Sequence, residues 1–311
     1  MTYRTRVGKS GKVLGVRQHY AGLIEISRDY ALALHADGVG TKVLVAEALR
    51  KYDTVGIDCV AMNVNDVICL GAEPLALVNY LAFERARPEV VRKVMMGLRR
   101  GALEAGVAIV SGETAIMPDV VKGFDLAATV IGLVRKNRII TGEKTKPGDV
   151  VLGLRSSGIH SNGLTLARKA LFTTRCKSSL LHELLRPTRI YVKPISKLLN
   201  SGLEIHALAH ITGGAYSKLR RIGLRAKVGF HLDNLPKSSW IFKEIQDEGG
   251  ISDREMYRTF NMGIGFLIIC SPTTARRVQK LLPETIRVGS VTESCASLVS
   301  VGGRKIEVET W

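Results

Sequence analysis

Between Thr54 and Pro74 the chain carries no lysine or arginine, although the whole protein holds 45 basic residues against 28 acidic ones, a net charge of +17. In this window Ile57, Val60, Ala61, Val64, Val67 and Ile68 recur at spacings of three and four, which predicts a helix with one buried stripe. Asp58, Met62, Asn65 and Asp66 fall on another side of that helix, and the two carboxylates lie two turns apart. Such a face is either solvated or a cation site. On so basic a protein, an acid-only face with no neutralising neighbour points to the cation.

Three corners of strand, turn and helix surround this segment in the sequence. The first is HADGVGTK, His35 to Lys42, placed after an apolar run at 31–34 and before a helical run at 43–49. Asp37-Gly38 predicts a turn, and Gly40, Thr41 and Lys42 bring small residues, a helix start and a full positive charge to it. That chemistry suits an anion, and Asp37 beside it fits only if a cation such as Mg²⁺ lies between. The second corner is SSGIHSNG at 156–163, with His160 among Ser156, Ser157, Ser161 and Asn162. The third is ALAHITGGAY at 207–216, with Thr212-Gly213-Gly214 as its turn. Between them, a strand at 107–110 leads into SGETAIMP, which places Glu113 in a small-residue loop at a strand end.

The remaining pattern alternates strands and helices. Strands are predicted at 75–83, 124–134, 150–154 and 264–270, and helices at 88–106, with a buried stripe of Val91, Val94, Met95, Leu98 and Ala102, at 164–171 and at 187–199. KTKPGD at 144–149 marks a boundary between two α/β units, so the chain divides into 1–18, 19–146 and 147–311, the first a basic, glycine-bearing arm. No uninterrupted apolar run reaches 18 residues and no secretory leader is visible, which excludes a spanning helix and points to the cytoplasm. The five cysteines (Cys59, Cys69, Cys176, Cys270, Cys295) form neither a metal-ligand spacing nor a disulfide framework. Basic residues are scattered, and aromatic residues make up only 5%. A polyanionic small substrate explains the charge more simply than a nucleic-acid surface does, so neither nucleic acid nor membrane is expected as a partner.

HADGVGTK, DTVGIDCVAMNVNDVICLGAEPL, SGETAIMP, SSGIHSNGL, LRPTRIYVK, HITGGAY and EMYRTFNMGIGF stand in the order of the phosphoribosylformylglycinamidine cyclo-ligase (AIR synthetase) family. The chain resembles an archaeal or thermophile-like member with a shortened N-terminus. Selenophosphate synthetase, thiamine-monophosphate kinase, the hydrogenase-maturation dehydratase and formylglycinamidine synthase share the Asp-Gly corner and the acids, but not the His-Ser-Asn-Gly and Met-Tyr-Arg-Thr-Phe-Asn strings. An Ala-Gly-Val-Asp segment usual in the family's longer N-terminal arm is absent.

The resemblance implies a two-domain α/β (α+β) fold. Its N-terminal domain would form a dimeric β-barrel with helices outside, and its C-terminal α/β domain would pack against it. The implied reaction is ATP-dependent closure of formylglycinamidine ribonucleotide to 5-aminoimidazole ribonucleotide in purine biosynthesis, with Mg²⁺, by a cytoplasmic homodimer. The implied roles put Asp37, Asp66 and Glu113 on Mg²⁺–ATP, with Asp58 as a further acid. Lys42, Thr41, Gly38 and Gly40 would cradle phosphate, and Asn65 and Thr114 would orient oxygens. His160, Ser161 and Asn162 would hold phosphate or assist proton transfer, and Thr212, Gly213 and Gly214 would line the cleft. Asp66, His160 and Lys42 are thus the expected catalytic set. The readings left open are another ATP-dependent enzyme of the superfamily, or a basic, inactive or nucleic-acid-binding homologue.

Overall fold

The computed structural model describes residues 11–14, 19–172 and 178–308. The first half forms a six-stranded sheet from β1 (Val13–Leu14), β2 (Gly22–Glu25), β3 (Tyr30–Gly38), β4 (Glu73–Phe83), β5 (Ala108–Ile116) and β6 (Phe124–Arg135). The strand order is β1-β2-β3-β6-β4-β5, antiparallel except for the parallel pair β4–β5. Helices α1 (Lys42–Leu49), α2 (Val55–Ile68) and α3 (Pro88–Ala105) pack on this unit, α2 directly against β3, β4 and β6. Along β4 the pleat buries Leu77, Asn79 and Leu81 under the helices and leaves Val78 and Tyr80 exposed on the other face. Among the described residues the sheet is open, with β1 and β5 as its edges, and the expected dimeric barrel is not closed within them.

The second half forms a seven-stranded sheet from β7 (Val150–Arg155), β8 (Ala207–His210), β9 (Gly229–Leu232), β10 (Ile264–Cys270), β11 (Ile286–Thr292), β12 (Ser297–Val301) and β13 (Arg304–Glu307). Its order is β13-β12-β9-β11-β7-β10-β8, with β12 parallel to β9 and every other pair antiparallel. All of β10 is buried, which explains its unbroken apolar run. The helices are α4 (Leu164–Leu171), α5 (Ser178–Leu184), α6 (Val192–Leu199), α7 (Leu219–Ala226), α8 (Trp240–Gly249), α9 (Asp253–Thr259) and α10 (Pro272–Leu281). Among the described residues no helix is long and apolar enough to cross a membrane. Cys59, Cys69 and Cys270 are buried free thiols, Cys295 is exposed, and Cys176 lies outside the described residues.

Several local expectations shift. Asp37 and Gly38 end strand β3 instead of forming a turn, because they pair with Ala128 and Ala127 of β6 and Asn63 clamps the Asp37 backbone. SGETAI lies within β5 and is no loop. The helix expected from 187 begins only at Val192, since residues 187–191 form an irregular stretch whose Arg189 carbonyl and Tyr191 N–H meet Asn65 of α2. Of the expected arm, residues 1–10 and 15–18 lie outside the described residues, and Val13–Leu14 pairs with β2.

The largest departure concerns α2. All 14 of its residues are buried, including the polar side expected to face a cation. Its apolar stripe meets the sheet and α3, and its polar side meets the second half of the chain. The crossing with α3 is close enough that a Cβ on Gly56 would stand 2.2 Å from the Leu98 nitrogen and 2.4 Å from the Val94 oxygen. On α3, Gly97 and Gly101 replace Val91 and Met95 at the buried face, and Met95 is exposed. Backbone cannot move aside as a flexible side chain would, so Gly56→Ala should destabilise the fold by about 2–3 kcal/mol or more. Thermal unfolding should show Tm falling by roughly 5–10 °C. An unchanged Tm would mean the helices can separate freely.

Candidate active site at the seam of the two sheets

The polar side of α2 forms one wall of a seam, and its two acids are already matched by basic groups of the same chain. Lys42, at the start of α1, is 0% exposed. Its ammonium donates to Asp58 Oδ1 at 2.8 Å, the His160 carbonyl at 3.2 Å and the Arg186 carbonyl at 2.7 Å. Those acceptors take all three of its protons. Asp58 Oδ1 also accepts from the Thr188 N–H at 2.7 Å and the Thr188 hydroxyl at 2.6 Å, while Oδ2 has no partner. Burial pulls the Lys42 ammonium below the ordinary lysine value, and Asp58 acts in the opposite direction. Lys42, expected to reach a phosphate, instead clamps α1 and α2 to the loops at 156–163 and 186–191.

Asp66, two residues before the end of α2, sits between two histidines. Its Oδ1 is 2.7 Å from His210 Nδ1, and its Oδ2 is 3.4 Å from His35 Nε2. Burial alone would raise the Asp66 carboxyl, but Lys218 and the two imidazoles outweigh it and hold the carboxyl below the usual range. Burial lowers His210, with Asp66 working against it. Asn63 completes this corner. Its amide donates to the Asp37 and Cys59 carbonyls, so its oxygen is fixed as the acceptor for the Asp37 N–H at 3.1 Å and His35 Nδ1 at 3.2 Å. The strand period of two places His35 and Asp37 on one face, beside Asp66.

Glu113 is elsewhere. The strand register aligns Asp37, Ala128, Asn79 and Gly112 in one row across the sheet, and Gly38, Ala127, Tyr80 and Glu113 in the next. A Cβ on Gly112 would strike the Asn79 amide at 2.5 Å, which places that row on the helix side. Glu113 therefore points to the opposite, exposed face with Tyr80, three strand spacings from Asp37, roughly 14 Å. Thr114 follows it on edge strand β5, and its N–H donates to Glu113 Oε1 at 2.8 Å. Among the described residues no three His, Cys, Asp or Glu side chains converge to hold a metal. The expected trio Asp37, Asp66 and Glu113 is thus not one cage in a single chain. The physical reason is the pleat, which separates Glu113; within the seam His210 takes Asp66 Oδ1, and Oδ2 lies 3.4 Å from His35 Nε2. Asp37, whose Oδ1 accepts the Gly38 N–H at 2.8 Å, keeps its second oxygen beside the α1 turn. That arrangement fits Mg²⁺ held mainly by phosphate oxygens and water with a single carboxylate.

The loops of the second half approach the same seam. His160 is fully buried with φ +61°, a left-handed backbone that costs roughly 1–2 kcal/mol in a non-glycine residue. Its carbonyl bond to Lys42 offsets that cost. His160 Nε2 accepts from the Ser157 N–H, Nδ1 has no partner, and burial drives the imidazole far below the usual histidine value. It is a neutral buried ring. Ser161 Oγ lies 3.3 Å from Thr188 Oγ1, and the buried amide nitrogen of Asn162 is unpartnered. The Asn65 amide is spent on the seam, donating to the Arg189 carbonyl and accepting from the Tyr191 N–H. Thr212 is buried, Gly213 is exposed, and Gly214 carries φ +81°. Gly40 and Thr41 form the exposed turn into α1, with Thr41 Oγ1 3.2 Å from Thr165 Oγ1.

The sequence reading gave no role to His35, Asn63, Thr188, His210 or Lys218. Strand alternation at His35 and Asp37 could have paired those two. Thr188 meets Asp58 across 130 residues, and no local pattern marks such a contact.

Removing one member of a buried ion pair leaves the other charge without compensation. Lys42→Met should therefore cost about 3–5 kcal/mol in denaturant unfolding. Replacing both partners, as Lys42→Met with Asp58→Leu, should recover part of that loss. A single variant as stable as the parent would show the pair carries no interlock.

Residues 18–134 match the family model described as AIR synthase related protein, N-terminal domain, and residues 146–301 match its C-terminal domain. Phosphoribosylformylglycinamidine cyclo-ligase of Pyrococcus furiosus is 51% identical over 313 residues, spanning 98% of this chain and 91% of the relative. The enzyme of that name from Methanocaldococcus jannaschii is 50% identical over 303 residues, 93% of this chain and 84% of the relative. Among solved structures, hydrogenase maturation protein HypE in complex with ATP aligns with a TM-score of 0.68 at 19% identity, over 90% of this chain and 85% of its own. Thermotoga maritima PurL complexed with FGAR aligns with a TM-score of 0.69 at 17% identity, over 95% of this chain and 48% of its own. These two likenesses concern the fold. With both domain models matched and half the residues shared with such relatives, the chain belongs to the AIR synthase related family.

Proposed function

We propose that the protein is an ATP-dependent cyclo-ligase that converts formylglycinamidine ribonucleotide to 5-aminoimidazole ribonucleotide, releasing ADP and phosphate. The observation that carries this reading is the 51% identity over 98% of the chain to a relative of that name. An amide oxygen is a poor leaving group. Transfer of the ATP γ-phosphoryl to the formyl oxygen makes it a good one. The amidine nitrogen then attacks the formyl carbon, the carbon–oxygen bond breaks, phosphate leaves, and the attacking nitrogen gives up a proton as the ring closes.

In this reading Gly38 at the end of β3, the exposed Gly40–Thr41 turn and the first N–H groups of α1 receive phosphate. Asp37 contributes its open oxygen to Mg²⁺, which when bound offsets charge on the transferring phosphoryl. Asp66 acts through the imidazoles of His35 and His210, fixing both rings toward the seam. Lys42 and His160 hold the two halves together, so that the phosphate corner and the Thr212–Gly214 corner face each other.

We also infer a homodimer joined through the bare face of the first sheet. Leu34, Val78 and Tyr80 stand 43%, 40% and 44% exposed on that face, and β5 is an unpaired edge. Glu113 shares the face, so dimerisation would bring it to the subunit seam. A mass measurement in solution should give twice 33.9 kDa, and Tyr80→Glu should shift it toward the monomer. A monomeric parent protein would overturn the inference.

Purified protein with Mg²⁺, ATP and formylglycinamidine ribonucleotide should yield ADP and aminoimidazole ribonucleotide in equal amounts. Asp37→Asn should lower kcat/KM by about 10²–10³-fold without altering Tm. ADP without the imidazole product would overturn the substrate assignment, and near-normal turnover by the variant would remove Asp37 from the site.

A further inference from the structure

A second cationic place in the seam holds two basic side chains against one aromatic ring, with no carboxylate hydrogen-bonded to either among the described residues. Tyr20, just before β2, is 5% exposed, and its hydroxyl has no hydrogen-bond partner. The Lys218 ammonium lies 5.3 Å from its ring centroid and the Arg221 guanidinium 5.8 Å. His19 meets the same ring edge-on at 5.5 Å, and its Nδ1 is buried and unpartnered. Neither Lys218 nor Arg221 forms an ion pair or hydrogen bond among the described residues. The nearest acid, Asp66, acts on Lys218 through space; its Oδ1 is taken by His210, and its Oδ2 lies 3.4 Å from His35 Nε2.

We propose that Lys218 and Arg221, set against Tyr20 at the seam, hold the phosphomonoester of the ribonucleotide substrate, with the Tyr20 hydroxyl and His19 Nδ1 completing the subsite. The assignment of the ligand rests on the cyclo-ligase reading above; the anion subsite itself rests on geometry.

Two cations held on one aromatic ring repel each other, and a dianion between them removes that repulsion. A phosphomonoester carries close to two negative charges at neutral pH. It binds through Arg and Lys without needing a metal. The polyphosphate of ATP arrives with Mg²⁺ and is served by a carboxylate with an open oxygen, which Asp37 offers at the end of β3. The local field already shows the excess of positive charge. His19 is pulled down to about 3 by burial and by Arg225 and Arg221, and burial lowers the Lys218 ammonium while Asp66 opposes it. Lys218 and Arg221 also follow directly from the Thr212-Gly213-Gly214 corner through the turn at Ala215–Lys218, so a ribonucleotide anchored there extends along His210 and Asp66 toward Asp37.

The test combines calorimetry with steady-state kinetics on the full-length protein. Ribose 5-phosphate is the probe and ribose the control. Ribose 5-phosphate should bind the parent protein and ribose should not. Arg221→Gln and Lys218→Met should each weaken that binding about tenfold or more, in line with loss of a charge-assisted hydrogen bond. Both should raise KM for the ribonucleotide by about 10–100-fold while KM for ATP and kcat stay within about threefold. Arg221→Lys should recover part of the loss. Arg221 is exposed, so its variants are expected to keep the parent Tm even if Lys218→Met does not. Failure of ribose 5-phosphate to bind the parent, equal binding by the Arg221→Gln variant, or a parallel rise in KM for ATP would overturn the proposal. A parent that binds ribose 5-phosphate through these residues yet makes no imidazole product would retain the subsite and refute the cyclo-ligase reading.

Discussion

The arrangement of the two halves depends on one buried ammonium. Placing Lys42 out of water costs several kcal/mol, and that cost is offset only where every proton finds an acceptor. The acceptors are Asp58 on α2 and the carbonyls of His160 and Arg186, which belong to two loops of the second half. Only one docking of the two sheets brings these groups together. A shifted docking would leave a buried charge without partners, a penalty larger than most packing errors. Asp58 reinforces the selection, because Thr188 closes on the same oxygen from the second half with two further hydrogen bonds.

From that interlock follows the shape of the seam. With α2 buried along its whole length, its polar positions can only point inward, toward the second sheet. Asp58 anchors near one end, Asn65 bridges to the irregular 189–191 stretch, and Asp66 meets His210 at the end of β8. Asn63, on the side nearer β3, fixes the Asp37 backbone and the His35 ring. A single helix thus sets the positions of the phosphate corner, the two imidazoles and the loops of the other half. The closeness of α2 to α3 through Gly56, Gly97 and Gly101 makes that helix a rigid reference.

Much of this was legible in the sequence wherever periodicity governs. Helices α1, α2, α3 and α4 and strands β4, β6, β7 and β10 follow from hydrophobic spacing, because local burial decides them. From its sequence the acid-only window is expected to face a metal cation; the structure sets basic side chains of the same chain against it instead. They are Lys42, His35 and His210, from 16, 31 and 144 residues away in the chain, and no window of sequence shows that. The position of Glu113 was missed for another reason. Small residues around it suggest a loop, but pairing with β4 extends the strand through Ile116, and the pleat then turns Glu113 away from Asp37. His160 is expected to hold phosphate or assist proton transfer because its loop is polar; the structure instead buries the ring and gives its carbonyl to Lys42.

The seam therefore separates two kinds of positive charge. Lys42 is neutralised inside the protein and holds geometry. Lys218 and Arg221 lie against Tyr20 with no acid hydrogen-bonded to either among the described residues, and in our proposal they meet an anion brought from outside. Asp66 stands between the two sets, with Oδ1 on His210. That separation suits a reaction that must place two phosphorylated substrates in one cleft. One phosphate group is to be transferred and travels with Mg²⁺ near a carboxylate, and the other is inert and needs only an anchor. In the proposed arrangement the cations set against Tyr20 take the inert phosphate and the α1 turn beside Asp37 takes the transferred one, which would give each phosphate its own end of the seam.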